Sequence, residues 1–188
     1  KVLPDGYLSL ELSNVPIHDL EPLRGLPLKL LRTRSIFLRD LSPLRATPAD
    51  YLSLSTAGLT NLAALQGLNI RHLTLDSNPG VTNLAPLQGM PLEYLSLLDT
   101  RVTDLSPLRG MPLRQLQISL AMQLQDLSPL AGLPLDRLFL EGVGVRDLSP
   151  LRGLPLTKLC LSEARQIVSL EPLRECRHLE ALCLPPNA

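Results

Sequence analysis

The sequence has no tryptophan and only three tyrosines and two phenylalanines among 188 residues, so aromatic side chains cannot fill its core. It has no net charge, with 18 basic and 18 acidic residues, and hence no overall field to attract nucleic acid or an anionic membrane. Proline, arginine and aspartate interrupt every apolar run, which excludes a transmembrane helix. Leucine is abundant instead, at 50 residues, so one aliphatic side chain must build the core.

A repeat of 21 to 23 residues accounts for this leucine content. It predicts eight full units over residues 7–178 and a truncated ninth strand over 179–184. Thirteen of the 18 prolines fall at two fixed positions of the repeat, so proline separates the parts of a unit rather than breaking long helices. The units start at Tyr7, Leu28, Ala49, Ile70, Leu92, Leu113, Leu135, Leu156 and Leu179.

Each unit has two halves with different apolar periods. The first half is apolar at positions 1, 4 and 6, as at Leu135, Leu138 and Leu140, which predicts a strand buried on one face. In the second half apolar residues are three apart with proline between them, which predicts a short 3₁₀-like turn. We expect Ser106 to be the N-cap of its turn and Asp104 to accept hydrogen bonds from turn N–H groups. The counterparts of this aspartate are Asp19, Asp40, Asp126 and Asp147.

A strand and a turn cannot bury their own apolar face, so the units must stack on one another. Stacking predicts an α/β solenoid, a right-handed horseshoe with a parallel β-sheet on its concave face and short 3₁₀ or irregular turns on its convex face. No linker or change in composition divides the chain, so we expect a single domain over 1–188. Because the chain starts at Lys1 and its terminal units look incomplete, we expect a fragment of a longer protein.

Two phrases of the repeat resemble a known family. Leu-x-x-Leu-x-Leu at the unit starts resembles the leucine-rich repeat, over residues 7–184. Asp-Leu-Ser-Pro-Leu, at 104–108, 126–130 and 147–151, is similar to short bacterial repeats of the internalin-like and planctomycete type. The resemblance implies a non-catalytic module that binds a protein or peptide on its concave sheet.

One repeat position departs from the family pattern. Leucine-rich repeats commonly carry asparagine three positions after the last leucine of the strand, where it forms a buried ladder of hydrogen bonds. Only Asn78 and Thr100 are polar here, so we expect the ladder to be mostly absent. The other units have Val15, Ile36, Ala57, Ala121, Val143 and Ala164.

The strand positions that point out of the core are the best candidates for binding a partner. Three of the five aromatic residues lie there, and aromatic and arginine side chains on a rigid surface commonly anchor interfaces. A basic patch at Arg32 and Arg34 is an alternative place on the same face, and we prefer the aromatic patch. The predicted ligand-binding residues are Tyr51, His72, Tyr94, Leu98, Arg137, Phe139 and Lys158.

Catalytic geometry is not evident in the sequence. His72 and Asp76 share a strand four residues apart, which separates them by about 13 Å at ~3.3 Å per residue. A base and its orienting carboxylate need to be ~3 Å apart. Six of the 11 glycines lie singly at one repeat position and serve the turn, so they form no phosphate-binding loop; they are Gly25, Gly67, Gly89, Gly110, Gly132 and Gly153. We therefore expect that the protein is not an enzyme and needs no cofactor.

The three cysteines do not predict a metal site. Cys160 and Cys183 occupy the same outward strand position in neighbouring units, whereas Cys176 falls in the core, so the thiols should not converge on zinc. Neighbouring strands would place the first two with Cα atoms ~5 Å apart, so a disulfide between them stays open. The odd number of cysteines and the lack of a glycosylation sequon favour an intracellular, reducing compartment. The localisation itself, like the identity of the partner, is not assigned.

Two other functions stay open. The chain could be the repeat segment of a larger signalling or regulatory enzyme. It could also bind nucleic acid or another polyanion through arginines aligned on the convex side, although the balanced net charge favours an ordinary solvated face. These arginines are Arg24, Arg45, Arg109, Arg152 and Arg174.

Overall fold

Within residues 1–13 and 15–184, nine short strands form a single parallel sheet whose spatial order is the same as the chain order. The computed structural model describes residues 1–13 and 15–184, so Asn14 and residues 185–188 of the predicted domain lie outside the described residues. Neighbouring strands pair in register, one repeat unit against the next. The strands are β1 (Leu8–Ser13), β2 (Leu28–Arg34), β3 (Tyr51–Ser55), β4 (His72–Thr74), β5 (Tyr94–Leu98), β6 (Gln115–Ser119), β7 (Arg137–Glu141), β8 (Lys158–Cys160) and β9 (Ala181–Cys183).

A 3₁₀ turn follows each of the first eight strands, as the three-residue spacing and the prolines predict. No α-helix occurs in residues 1–13 and 15–184, and none of the turns is long and apolar enough to cross a membrane. With the sheet on one face and the turns on the other, the molecule is the expected leucine-rich-repeat solenoid. The turns are Glu21–Leu23, Ser42–Ala46, Ala63–Leu65, Ala85–Leu87, Ser106–Leu108, Ser128–Leu130, Ser149–Leu151 and Glu171–Glu175.

At the start of the turns the predicted hydrogen bond to aspartate is present, but the predicted serine N-cap is not. The Asp104 carboxylate accepts a hydrogen bond of 2.8 Å from the Ser106 N–H. The prediction that Ser106 is the N-cap is wrong, because the turn starts at Ser106 itself and Leu105 occupies the N-cap position without a side-chain bond. The same contact is made in each of the other seven full units, by Asp19, Asp40, Asn61, Asn83, Asp126, Asp147 and Ser169.

Leucine side chains from the strands and the turns form one continuous core. Leu31, Leu52 and Leu73, at position 4 of successive units, are fully buried. Each buried leucine stabilises the fold by about 1.5–3 kcal/mol relative to an exposed one. The leucine layer of each terminal unit has a neighbouring unit on one side only, and Leu182 in the last unit is 42% exposed. The core therefore depends on stacking, as in other solenoids.

The corner after each strand is built differently from unit to unit. Asn78 is fully buried and makes five hydrogen bonds, and the Thr100 hydroxyl donates one to Leu97 O. Where the unit has alanine, the side chain makes no hydrogen bond, and the Ala121 carbonyl accepts a 2.9 Å backbone bond from Leu124 N–H, just as the Asn78 carbonyl accepts one from Val81 N–H. In the first two units Val15 and Ile36 are exposed instead. The asparagine ladder is thus limited to the middle of the solenoid.

Candidate functional site

The sheet register places the predicted aromatic residues side by side on the concave face. Tyr51, His72 and Tyr94 are direct partners on β3, β4 and β5. Because the strands are parallel and in register, residues at one repeat position lie about 4.8 Å apart across the sheet. The three side chains therefore form a row that spans about 10 Å of the surface.

These three rings stack on one another, and we call them the aromatic stack. The centroids of Tyr51 and His72 are 5.6 Å apart with 21° between the ring planes. Those of His72 and Tyr94 are 6.0 Å apart with an angle of 25°. Since the rings stack face to face, the stack presents ring edges to a partner. Only the faces at its two ends could accept a further planar group.

Arg32 occupies the first of these ends. Its guanidinium carbon lies 5.8 Å from the Tyr51 ring centroid, and Nη2 donates a 3.1 Å hydrogen bond to the Tyr51 hydroxyl. Nη1 lies 3.4 Å from the Glu11 carboxylate on β1. The basic patch and the aromatic patch, separate alternatives in the sequence, are therefore one continuous surface. Sequence reasoning missed this junction, because Arg32 and Tyr51 are two positions apart within their repeats and meet only through a diagonal contact between strands.

Small polar residues lie beside the stack on the same face. Ser53, Thr74 and Ser96 follow the three rings two positions later in their strands, and Ser96 is fully buried. Burial raises the pKa of the Tyr94 hydroxyl, and hydrogen bonding with Ser96 and Thr74 opposes that rise. The rings are therefore supported by the sheet and do not project freely into solvent.

Asp76 has a positioning role that the sequence did not reveal. Its Oδ1 accepts 2.6 Å and 3.0 Å hydrogen bonds from the Ser96 hydroxyl and from the N–H of Leu98. This carboxylate connects β5 to the preceding unit and fixes the backbone at Leu98, a half-buried candidate residue. The signal in the sequence for this role was an aspartate at an outward repeat position, next to units that have several serines there.

Arg137, Phe139 and Lys158 form a second group at the other side of β6. Arg137 pairs with Lys158 in register across β7 and β8, and both side chains are exposed. The Lys158 ammonium lies 5.4 Å from the Phe139 ring centroid. Gln115 and Gln117 of β6 separate this group from the aromatic stack. The structure thus places the seven predicted residues on one face but in two groups.

The convex arginines are largely engaged within the solenoid. Arg24 pairs with Glu21, and Arg152 pairs with Glu171 and Glu175 at 2.6 and 2.7 Å. Arg45 donates to the Ala63 carbonyl, and Arg109 contacts the Ser128 hydroxyl. Four of the five arginines in this column therefore have partners of their own.

The cysteines are placed as the repeat predicted. Cys160 and Cys183 are in-register partners on β8 and β9, and both are free thiols. Cys176 is buried in the core, where its thiol donates to the Leu151 carbonyl at 3.2 Å. Within residues 1–13 and 15–184, no three His, Cys, Asp or Glu side chains are grouped so that they could hold a metal ion.

Comparison with known proteins shows which family this chain is related to. No family model and no curated protein matches the sequence. Among solved structures, internalin C2 of Listeria monocytogenes is 34% identical with a TM-score of 0.73, and the match covers 95% of this chain and 78% of that one. The chain belongs to the internalin family of leucine-rich-repeat proteins. An internalin F structure from the same organism, 23% identical with a TM-score of 0.56, covers 96% of this internalin-like chain and 67% of its own, and shares the fold.

The internalin relationship agrees with the short units of this chain. The expected resemblance to internalin-like repeats is confirmed, and so is the solenoid with 3₁₀ turns in place of helices. In this internalin-like protein the concave face carries the seven candidate residues on rigid strands. Their role as ligand contacts stays a prediction.

Proposed function

We propose that this internalin-like protein is a non-catalytic interaction module that binds a protein or peptide partner on its concave sheet. The observation that carries the proposal is the aromatic stack, which is flanked by Arg32 and supported on the sheet by buried serines. Tyrosine and arginine are enriched among the residues that dominate binding energy at interfaces. Because their neighbours already hold these side chains in place, little conformational entropy is lost when a partner binds.

The chemistry of this face supports binding rather than catalysis. The Asp76 carboxylate, four residues after His72 and beyond the end of β4, is hydrogen bonded through Oδ1 to Ser96 and Leu98. Among the described residues no hydrogen bond joins it to His72, so it does not orient His72 as a general base. The family resemblance also implies a binding role. A position within a larger signalling enzyme is compatible with the same concave surface, and sequence beyond residues 1–188 would decide it.

The engagement of the convex arginines speaks against polyanion binding as the main function. Arg24 and Arg152 are neutralised by glutamates of the solenoid, which leaves less charge to release counterions from a nucleic acid. Retention on heparin at low salt that is lost in Arg109→Ala/Arg152→Ala would favour the polyanion reading over the proposal.

The test compares partner capture by matched variants. Immobilised wild type and Tyr51→Ala/Tyr94→Ala/Phe139→Ala are exposed to extracts of the native organism, and the captured proteins are quantified by mass spectrometry. A control, Ile36→Ala/Met122→Ala, removes apolar side chains that are 63% and 55% exposed outside the concave strands. We expect specific partners to be lost from the concave variant and kept by the control.

A second concave variant protects the test against misfolding. Tyr51→Leu/Tyr94→Leu keeps apolar volume on the sheet but removes the stack and its hydroxyls, and β2 already carries Leu30 at this position. Its thermal midpoint should stay close to that of wild type. If this folded variant captures every partner that wild type captures, the proposed concave site is wrong.

A further inference from the structure

The concave sheet places two cations side by side at one in-register pair of residues. Arg137 and Lys158 are in-register neighbours, about 4.8 Å apart at their Cα atoms. Like charges directly opposite one another on neighbouring strands are destabilising. On the same face the in-register pair Glu11–Arg32 is of opposite charge and lies at 3.4 Å. Beside the stack, Arg71 and Glu93 form a 2.9 Å ion pair.

Neither of the two cations is neutralised well. The Arg137 side chain is 58% exposed, and its ion pair among the described residues is a 3.9 Å contact with Asp136. Lys158 is exposed, forms no ion pair with the described residues, and lies over the Phe139 ring. This arrangement holds two positive charges beside the Phe139 ring, and an anionic group placed between them would relieve their repulsion.

We propose that Arg137 and Lys158 bind a carboxylate side chain of an extended peptide segment in the partner. The proposal rests on the proposed function, because it names the chemistry of the partner at the same concave face. Arginine offers a planar fork that matches a carboxylate, and lysine adds a point charge beside it. The carboxylate replaces the missing negative partner of the in-register pair.

The distance to the aromatic stack defines a spacing within the bound peptide. Tyr94 and Arg137 are separated by β6, which puts them two strand spacings, or about 10 Å, apart. An extended chain covers this distance in three residues at ~3.3 Å each. In this arrangement Tyr94 contacts an apolar or aromatic side chain of the partner, and the acidic residue lies three positions away. Gln115 and Gln117 line the gap and offer amide groups to the peptide backbone.

The same face favours a single carboxylate over a chain of phosphates. Glu141 is exposed at the end of β7, and Asp76 lies beside the aromatic stack. A polyanion laid along the concave sheet would meet both of these carboxylates. A peptide with one localised acid meets only the two cations.

The experiment is a selection of random peptides displayed on phage against four immobilised proteins. They are wild type, Arg137→Gln/Lys158→Gln, Tyr51→Leu/Tyr94→Leu, and the convex control Arg109→Gln/Arg174→Gln, which removes the same amount of charge from the other face. Wild type and the convex control should enrich peptides with an apolar residue and Asp or Glu three positions apart. The Arg137→Gln/Lys158→Gln protein should keep the apolar preference and lose the acidic one.

The outcomes separate the inference from the function on which it rests. Peptides that depend on Tyr51 and Tyr94 but show no acidic preference would overturn the carboxylate site and leave the concave binding face intact. If the recovered peptides bind both concave variants as well as they bind wild type, or if no peptides are recovered, the carboxylate site and the concave binding face are both wrong.

A second measurement tests the charge directly. One recovered peptide is synthesised with its acidic residue and with Gln or Asn in its place. We expect the neutral peptide to bind wild type about three- to tenfold more weakly. The two peptides should bind Arg137→Gln/Lys158→Gln equally. Equal affinities for wild type would refute the proposal.

Discussion

The side-chain oxygen of Asn78 accepts a 3.1 Å hydrogen bond from the backbone N–H of Ala57, 21 residues earlier in the neighbouring unit. It also accepts one from Leu59 N–H at 3.0 Å. Its amide nitrogen donates to the carbonyls of Leu54 and Leu75 at 2.8 and 2.9 Å. A single buried side chain thus satisfies backbone groups of two units. In a full asparagine ladder, each unit has such a residue.

Replacement of Asn78 by alanine should destabilise the middle of the solenoid. Asn78→Ala leaves buried N–H and carbonyl groups without partners, at about 1–3 kcal/mol for each one that is not satisfied in another way. We expect a loss of about 3 kcal/mol or more in the free energy of unfolding, measured by urea denaturation. The control is Thr100→Ala, which removes one hydrogen bond at the same repeat position and should cost about 1 kcal/mol. Equal losses in the two variants would contradict this assignment.

Thr33 is a polar residue at a core position. It occupies position 6 of the second unit, where the next unit has Leu54, and it is fully buried. Its hydroxyl has no hydrogen-bond partner among the described residues. Thr33→Val removes the unsatisfied hydroxyl and keeps the shape, so it should raise the free energy of unfolding by about 1 kcal/mol. Thr33→Ser keeps the hydroxyl, loses a buried methyl group and should lower stability, and a higher thermal midpoint for the serine variant would refute the explanation.

The aspartates that lie two residues before the turns should make stability depend on pH in acid. Hydrogen bonds from the Ser42 N–H and the Ser42 hydroxyl lower the pKa of Asp40 from its ordinary 3.8. A carboxylate with a lowered pKa in the folded state stabilises the fold above the ordinary pKa, and this contribution is lost as the pH falls through the folded value. Asp40→Asn keeps an acceptor, as Asn61 and Asn83 do in their units. The variant should therefore lose less in thermal midpoint than wild type between pH 7 and pH 3, and an unchanged difference would argue against this role.

The three thiols should react at different rates. Burial opposes ionisation of Cys160, but hydrogen bonds from Ser162 and Cys183 outweigh it and lower the pKa of the Cys160 thiol. The hydrogen bond to Cys160 raises the pKa of Cys183, and burial raises that of Cys176. Since the thiolate is the nucleophile and needs access to the reagent, iodoacetamide should alkylate the partly exposed Cys160 and Cys183 before the buried Cys176.

Peptide mass spectrometry of a time course on the native protein gives this order. The same reaction in 8 M urea is the control, and there the three rates should converge. Rapid alkylation of Cys176 in the native protein would show that its layer of the core opens readily.

Repetition explains why so much of the fold was predictable. Because each unit repeats the same apolar positions, the strand and turn boundaries and the pairing of Tyr51 with His72 follow from a shift of one period. The role of Asp104 was predicted for the same reason, since its local hydrogen bond needs only a neighbour two positions ahead. The Ser106 cap was predicted wrongly because a 3₁₀ turn starts one residue earlier than the helical pattern implies.

The candidate surface was only partly predictable. The outward positions of Tyr51, Tyr94 and Phe139 come from strand alternation, which the sequence shows directly. The contact of Arg32 with Tyr51 and the anchoring of Leu98 by Asp76 are diagonal or shifted contacts between strands. Their existence depends on the rotamers that the neighbouring units permit, which no repeat position encodes.

By itself the sequence determined the period, the leucine core and the face on which each strand residue lies, because these depend on spacing along the chain. Only the tertiary structure decided that the basic and aromatic patches are one surface, that Asn78 bridges two units and that Arg137 and Lys158 stand together without a shared counter-charge. These features arise from side chains of different units meeting at distances of a few ångströms. Stacking sets those distances, and the pattern of any single unit does not contain them.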